Sequence, residues 1–309
     1  MKIFVSVCSY RDPLLKYTVR SLLENKSHRH EVTIGVFEQT IREGSLEELD
    51  PDLVTHPNVR YKRIDPIFSE GVGWARHINA LQVEDEELFY QVDSHMLFDP
   101  NWDRQLVNDW RKGVMKHNTD KVIITGSCKN FDLDEDGNPI KDEEYYPMSC
   151  TVKYFDYQPS DILGASGVMI PATQEIEPSI YTFAGNFLAP TRWLTDVGIN
   201  PKIFFDGEEQ WMMLRSFMEG YRIYHPRVIT CYHYVNTGKY ITKQWHEPII
   251  TDEQYGFFVR RSVNEFKTLI ENTDEDILEA FHKYTGVDYI NKRIDDRVRL
   301  NLPEPQPLV

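Results

Sequence analysis

The sequence predicts an α/β fold: strands alternating with helices around a parallel sheet, followed by helices toward the C-terminal end. Three observations lead there. Short β-rich runs at 3–8, 32–37 and 59–64 end in polar residues, with a helical repeat between the first two. An apolar run from Leu88 to Val92 ends in the polar stretch Asp93-Ser94-His95. From Asp252 onward, apolar residues recur at helical intervals. Strand, helix, strand with polar strand ends is the pattern of a parallel sheet whose ligands gather beyond its carboxyl edge.

In chain order, Ile3 to Cys8 is the first strand, and it ends at the turn Ser9-Tyr10-Arg11-Asp12-Pro13. Leu14, Leu15, Thr18, Val19, Leu22 and Leu23 recur at helical spacing. Val32–Phe37 and Val59–Ile64 are the next strands. Gly71-Val72-Gly73-Trp74-Ala75-Arg76 opens a helix, its glycines permitting close backbone approach to a phosphate or sugar and Arg76 reaching for a diphosphate or ribose.

Alternation along an extended Asp93-Ser94-His95 directs Asp93 and His95 to one side and Ser94 to the other. A carboxylate with an imidazole suits Mn2+ or a similar borderline divalent ion better than Ca2+. Two ligands are too few to define a site, and a turn cap with an ordinary strand-end histidine accounts for the same residues.

Trp102–Met115 reads as an amphipathic helix and Val122–Ser127 as a strand. The acidic run Asp132, Asp134, Glu135, Asp136, Gly137, Asn138 lacks the twelve-residue spacing of a calcium loop and reads as a solvated hairpin tip. Tyr145, Tyr146, Tyr154, Phe155 and Tyr157 crowd the region after it, an acceptor-side loop with aromatic faces. Gly185 and Asn186 open a strand with small residues suited to close approach by a sugar. Phe204-Phe205-Asp206-Gly207-Glu208-Glu209 leads into a helix that closes at Gly220, with Asp206 as its cap and Glu208 and Glu209 favourable at its positive end.

Composition bounds the function. The 309 residues, 41% hydrophobic and 27% charged, suffice for one large domain. A formal charge of -15 argues against a broad nucleic-acid grip, which depends on neutralising phosphates. No apolar run is long enough to cross a bilayer, so no membrane partner is expected. Cys8, Cys128, Cys150 and Cys231 lack CxxC spacing and read as single thiols, which suggests a cytoplasmic address.

Ser9-Tyr10-Arg11-Asp12-Pro13, Gly71 to Arg76 and Asp93-Ser94-His95-Met96 resemble, in order and spacing, the N-acetylglucosaminyltransferases that modify hydroxyproline on cytoplasmic proteins. The Asp-Ser-His triplet is also similar to the metal triplet of polypeptide N-acetylgalactosaminyltransferases. The resemblance spans roughly residues 3 to 235 and implies a GT-A, Rossmann-like fold, a UDP-sugar donor and Mn2+ or another divalent cation such as Mg2+. It implies Asp93, His95 and His233 as metal ligands, with His225 and His246 as rivals for the third place. Ser9, Tyr10, Arg11, Arg76, Asp93, Gly185 and Asn186 are then expected at the nucleotide-sugar, and Glu208 and Glu209 at the reacting groups, without a choice between the two. Gly185-Asn186-Phe187 matches the family, while Ala189-Pro190 departs from the aromatic or Ser found there.

The expected organisation is a GT-A domain over 1–250, a helical appendage over 251–302 and a Pro-rich tail over 303–309. Transfer of a sugar, N-acetylglucosamine as first choice, to a hydroxyl of a protein, glycan or modified base is expected, with retention implied by the resemblance. A nucleotidyltransferase, or a non-catalytic UDP- or glycan-binding module, shares much of this pattern.

Overall fold

The computed structural model describes residues 1–41, 48–142, 148–155, 163–169, 175–234 and 249–300. Tyr145, Tyr146, Tyr157, His246 and the prolines of the tail, with the roles expected of them, lie outside these residues.

The first half builds the parallel core. β1 (Lys2–Tyr10), α1 (Leu15–Asn25), β2 (Glu31–Gln39), a helical turn α2 (Pro51–Val54), β3 (Val59–Ile64), α3 (Val72–Ala80) and β4 (Leu88–Val92) follow in order. β1 lies between β2 and β4, β3 flanks β2, and all four are parallel. Every residue from Ile3 to Val7 and from Leu88 to Val92 is buried, as a sheet covered on both faces requires.

β5 (Met96–Phe98), α4 (Trp102–His117), β6 (Val122–Thr125), β7 (Lys129–Leu133), β8 (Pro139–Lys141), β9 (Met148–Phe155) and β10 (Leu163–Met169) continue the chain. β11 (Glu177–Pro178), β12 (Asn186–Pro190), a turn α5 (Trp193–Asp196), α6 (Glu208–Met218), β13 (Arg222–His225) and β14 (Cys231–Tyr234) follow. The main sheet runs β11-β13-β6-β12-β4-β1-β2-β3, and β12 enters antiparallel between β4 and β6. A smaller sheet, β5-β14-β7-β8, stands at the carboxyl end of β4. The acidic run is the expected hairpin tip: Asp134 Oδ1 accepts from the backbone N of Asp136 at 3.0 Å and of Asn138 at 2.7 Å between antiparallel β7 and β8.

α1 and α4 cover one face of the main sheet, with Leu15, Val19, Leu22, Trp102 and Leu106 against Val5, Val36 and Tyr90. On the other face Phe89 stacks between Phe4 and Trp193, with centroids at 6.3 and 6.4 Å. Burying each such ring stabilises the fold by about 1.5–3 kcal/mol. The helices α7 (Asp252–Glu271) and α8 (Glu275–Thr285) join that same cluster through Phe266, Phe281 and Tyr284, with Phe281 set edge-on against Phe217 of α6. They cover the sheet, through α6. Among the described residues no helix is long and apolar enough to cross a membrane.

Candidate active site

The chain bends at Ser94 and His95, between the end of β4 and the start of β5. β5 then pairs antiparallel with β14, setting Met96 opposite His233. This pairing delivers a histidine from residue 233 to the loop at residue 93. His233 Nε2 lies 3.5 Å from Asp93 Oδ2, and the rings of His95 and His233 meet edge to face at 4.6 Å. One ligand atom from each of Asp93, His95 and His233 lies within 4.8 Å of the other two, a group that could hold a metal ion. His225 ends β13 in the main sheet, outside this group, and His246 lies outside the described residues.

The bend overturns the expected direction of Ser94. An extended segment would point it away from His95, but Ser94 Oγ donates to Asp12 Oδ2 at 2.6 Å and His95 Nδ1 meets the same oxygen at 2.7 Å. Asp12 Oδ1 accepts from the Leu14 backbone N at 2.9 Å, and the residue is 1% exposed. Burial pushes the Asp12 carboxyl up, but His95, Ser94 and the Leu14 amide together hold it below its usual range. An ionised Asp12 assigns the proton to His95 Nδ1 and leaves Nε2 as a lone-pair donor, the arrangement by which a carboxylate orients a metal-binding imidazole. Sequence reasoning counted Asp12 only as part of a polar turn. Its one signal was a carboxylate just beyond the first strand.

Arg76, 5% exposed, joins two acids: Nη2 donates to Asp93 Oδ1 at 2.7 Å and Nη1 to Glu208 Oε2. Burial raises the Asp93 carboxyl, but His233, Arg76 and His95 outweigh it and hold it well below the ordinary value. Burial raises Glu208 as well, and there the neighbouring Asp93 adds to it against the pull of Arg76. Glu208 Oε1 is buried with no hydrogen-bond partner among the described residues. An orphaned carboxylate oxygen is costly unless something supplies a donor.

Glu209 faces elsewhere. Its Oε1 accepts from the Ala184 backbone N at 3.0 Å and its Oε2 from the Tyr181 hydroxyl at 2.9 Å. Burial pushes its carboxyl up to about 7, against those two bonds. It therefore anchors the segment 181–185. Gly185 in that segment lies so close to Asp93 that an added Cβ would stand 2.2 Å from Oδ2. Asn186 is buried within the sheet, accepting from the Tyr90 hydroxyl at 2.9 Å and donating to Gly126 O at 2.9 Å.

Two readings of the helix starts change. The glycines before Arg76 admit protein, not a phosphate: Val72 N donates to Phe204 O at 2.8 Å and Gly73 N to Ile203 O at 3.1 Å, and a Cβ on Gly71 would meet Phe204 O at 2.4 Å. These amides are engaged, leaving no phosphate cradle there. The cap of α6 is Gly207 at φ 90, a left-handed position that favours glycine, and not the exposed Asp206 that precedes it.

Ser9, Tyr10 and Arg11 lie at the carboxyl end of β1, in register with the end of β2. Arg11 takes the left-handed conformation at φ 47, and its backbone N donates to Gln39 O at 2.9 Å. Ser9 Oγ is buried with no hydrogen-bond partner among the described residues. Asp12 follows directly, so this turn and the metal-competent cluster share one edge of the sheet.

A sequence profile described as Glycosyltransferase (GlcNAc) matches residues 48–292. The crystal structure of GalNAc-T7 with UDP, GalNAc and Mn2+ superposes with a TM-score of 0.64 at 13% identity, covering 91% of this chain and 50% of that one. The chain thus spans half the length of that structure, and at this identity the likeness shows a shared fold. The structure of S. aureus TarS 1-349 in complex with UDP-GlcNAc gives a TM-score of 0.46 at 14% identity over 96% of this chain and 83% of that one. No curated protein sequence matches.

Proposed function

Because the chain belongs to the GlcNAc glycosyltransferase family and has a GT-A fold, we propose that it moves N-acetylglucosamine from a UDP-sugar to a hydroxyl acceptor with retention of configuration. The observation that carries this reading is the convergence of Asp93, His95 and His233 beside the Arg76-linked Glu208. One carboxylate and two imidazoles fit a borderline divalent ion such as Mn2+, and Asp12 turns His95 to suit it. When bound, the ion supplies positive charge to the departing diphosphate.

The chain's own residues do the rest. Ser9 to Arg11 hold the nucleotide at the carboxyl edge of β1, and the buried Ser9 Oγ is open to a ligand's hydrogen bond. Arg76 fixes the spacing of Asp93 and Glu208 and brings a cation next to the diphosphate. Glu208 Oε1 accepts a hydrogen bond from a donor-sugar hydroxyl, which gives that orphaned oxygen its partner. Glu209 supports the 181–185 segment, whose Gly185 lies against Asp93. The cytoplasmic address belongs to the same reading, as does a GT-A unit over 1–250 with 251–302 packed on it.

A screen with radiolabelled UDP-N-acetylglucosamine and Mn2+ against peptide, glycan and hydroxylated-base acceptors tests it. Label transferred only when Mn2+ is present is expected. Binding of UDP with neither transfer nor donor hydrolysis in any arm would overturn the reading in favour of a non-catalytic module.

A further inference from the structure

Cys231 opens β14, and Cys128 stands just before β7, which runs parallel to β14 with Tyr232 opposite Lys129. That register makes the two cysteines neighbours, and the Cys231 thiol donates to Cys128 Sγ at 3.3 Å although 103 residues separate them. Neighbouring strands lie about 4.8 Å apart, within the roughly 4.4–6.8 Å between Cα atoms that a disulfide spans. Cys231 is buried at 1% exposure, and Cys128 is partly exposed, so a small oxidant reaches the pair through Cys128. The sequence suggested single thiols; the fold brings two into contact.

We infer that Cys128 and Cys231 form an oxidisable dithiol whose closure loosens the ligand set at the end of β14. A hydroperoxide transfers one oxygen to the Cys128 sulfur, giving a sulfenic acid while the peroxide is reduced to its alcohol or to water. The Cys231 sulfur then attacks that sulfur, the S–O bond breaks, and the leaving hydroxide takes the thiol proton away as water. Closure brings the sulfurs from 3.3 Å to about 2.05 Å and draws the start of β14 toward Cys128. His233 is two residues along the same short strand, and metal sites tolerate displacements of only about 0.5 Å. The effect on the metal rests on the cation site proposed above; the thiol chemistry does not.

The reduced full chain is treated with hydrogen peroxide, alkylated and digested, and its Mn2+ affinity is titrated before and after. A peptide pair joining Cys128 to Cys231, two hydrogens lighter and separated by dithiothreitol, is expected. Mn2+ affinity should fall about tenfold on oxidation and return on reduction. Peroxide should leave the affinity of Cys128→Ser unchanged, and Cys231→Ser provides a second variant. Two fully alkylated thiols after peroxide overturn the dithiol, and a joined pair with unchanged Mn2+ affinity overturns its link to the metal. A reduced chain that binds no Mn2+ counts against the cation site proposed above, and the joined peptide then decides the dithiol alone.

Discussion

Asp12 Oδ2 stands 2.7 Å from His95 Nδ1, across 83 residues of sequence, and so fixes which nitrogen of His95 faces Asp93 and His233. Asp12→Asn keeps the size but removes the charge, and its amide hydrogens can take the acceptor's place, which favours the wrong tautomer. Mn2+ affinity should fall about 10- to 100-fold, the usual loss when the group orienting a metal-binding histidine is removed. Titration of Mn2+ by electron paramagnetic resonance, with far-UV circular dichroism to verify the fold, measures this. An Asn variant binding as tightly as the parent would remove Asp12 from the site.

Asp93→Ala and His233→Ala should each abolish Mn2+-dependent transfer. Their effects on folding should differ. Asp93 and Glu208 share the buried Arg76, so loss of Asp93 leaves the guanidinium with Glu208 alone, whereas the His233 side chain is 25% exposed and meets the cluster at 3.5 Å from Asp93 and edge to face with His95. Thermal melts should show the larger drop for Asp93→Ala, because it takes the acceptor away from Nη2 of the buried Arg76 and leaves that donor unpaired. Full activity in either variant would exclude that residue from the ligand set.

The two neighbouring glutamates separate by what they touch. Glu208→Gln removes charge from an oxygen aimed at no described residue and from the partner of Arg76, so transfer should fall 100-fold or more, on the scale of losing one preorganised electrostatic contact. Glu209→Gln alters the anchoring of Ala184 and Tyr181 and should cost about tenfold or less. Steady-state kinetics with saturating donor distinguish them, and equal losses would contradict the division of roles.

The strands and helices of the first hundred residues were legible because apolar period and polar strand ends are local properties. The metal-competent trio was legible only through resemblance, since His233 reaches Asp93 by the pairing of β5 with β14, which no local pattern encodes. Asp12 was missed for the same reason: its contacts with Ser94 and His95 are tertiary. Ser94 was misdirected because alternation holds only for extended backbone, and the chain bends there. Glycines 71 and 73 announced a close approach that the sequence assigned to a phosphate or sugar, but the groups that come close are the carbonyls of Ile203 and Phe204.

Glu209 predicts an unusual pH dependence. Its carboxyl is raised to about 7 from an ordinary 4.5, so between these values the folded chain keeps a proton that the unfolded chain releases. Its contribution to stability therefore declines as pH rises from about 4.5 to about 7 and is level outside that window. Asp12 and Asp93, held low, act in the opposite sense: their contribution is complete above about 4 and is lost in acid. In metal-free buffer the melting temperature of Glu209→Gln should gain on the parent between pH 5 and pH 8. Parallel curves would show that Glu209 titrates normally.

Gly185 tests the packing of the site without changing a charge. A methyl at this position would stand 2.2 Å from Asp93 Oδ2 and 2.7 Å from its Cγ, closer than any real Cβ contact. Relief must come from the Asp93 side chain, because Gly185 is held between Ala184, whose N is bonded to Glu209, and Asn186, which is fixed to Tyr90 and Gly126. Swinging the carboxylate away separates it from His233 and strains its bond to Arg76. Overpacking of this kind costs about 1–3 kcal/mol, so Gly185→Ala should still fold while Mn2+ affinity and transfer fall together by at least tenfold. A variant that melts lower yet binds Mn2+ like the parent would mean that the backbone, and not Asp93, gives way.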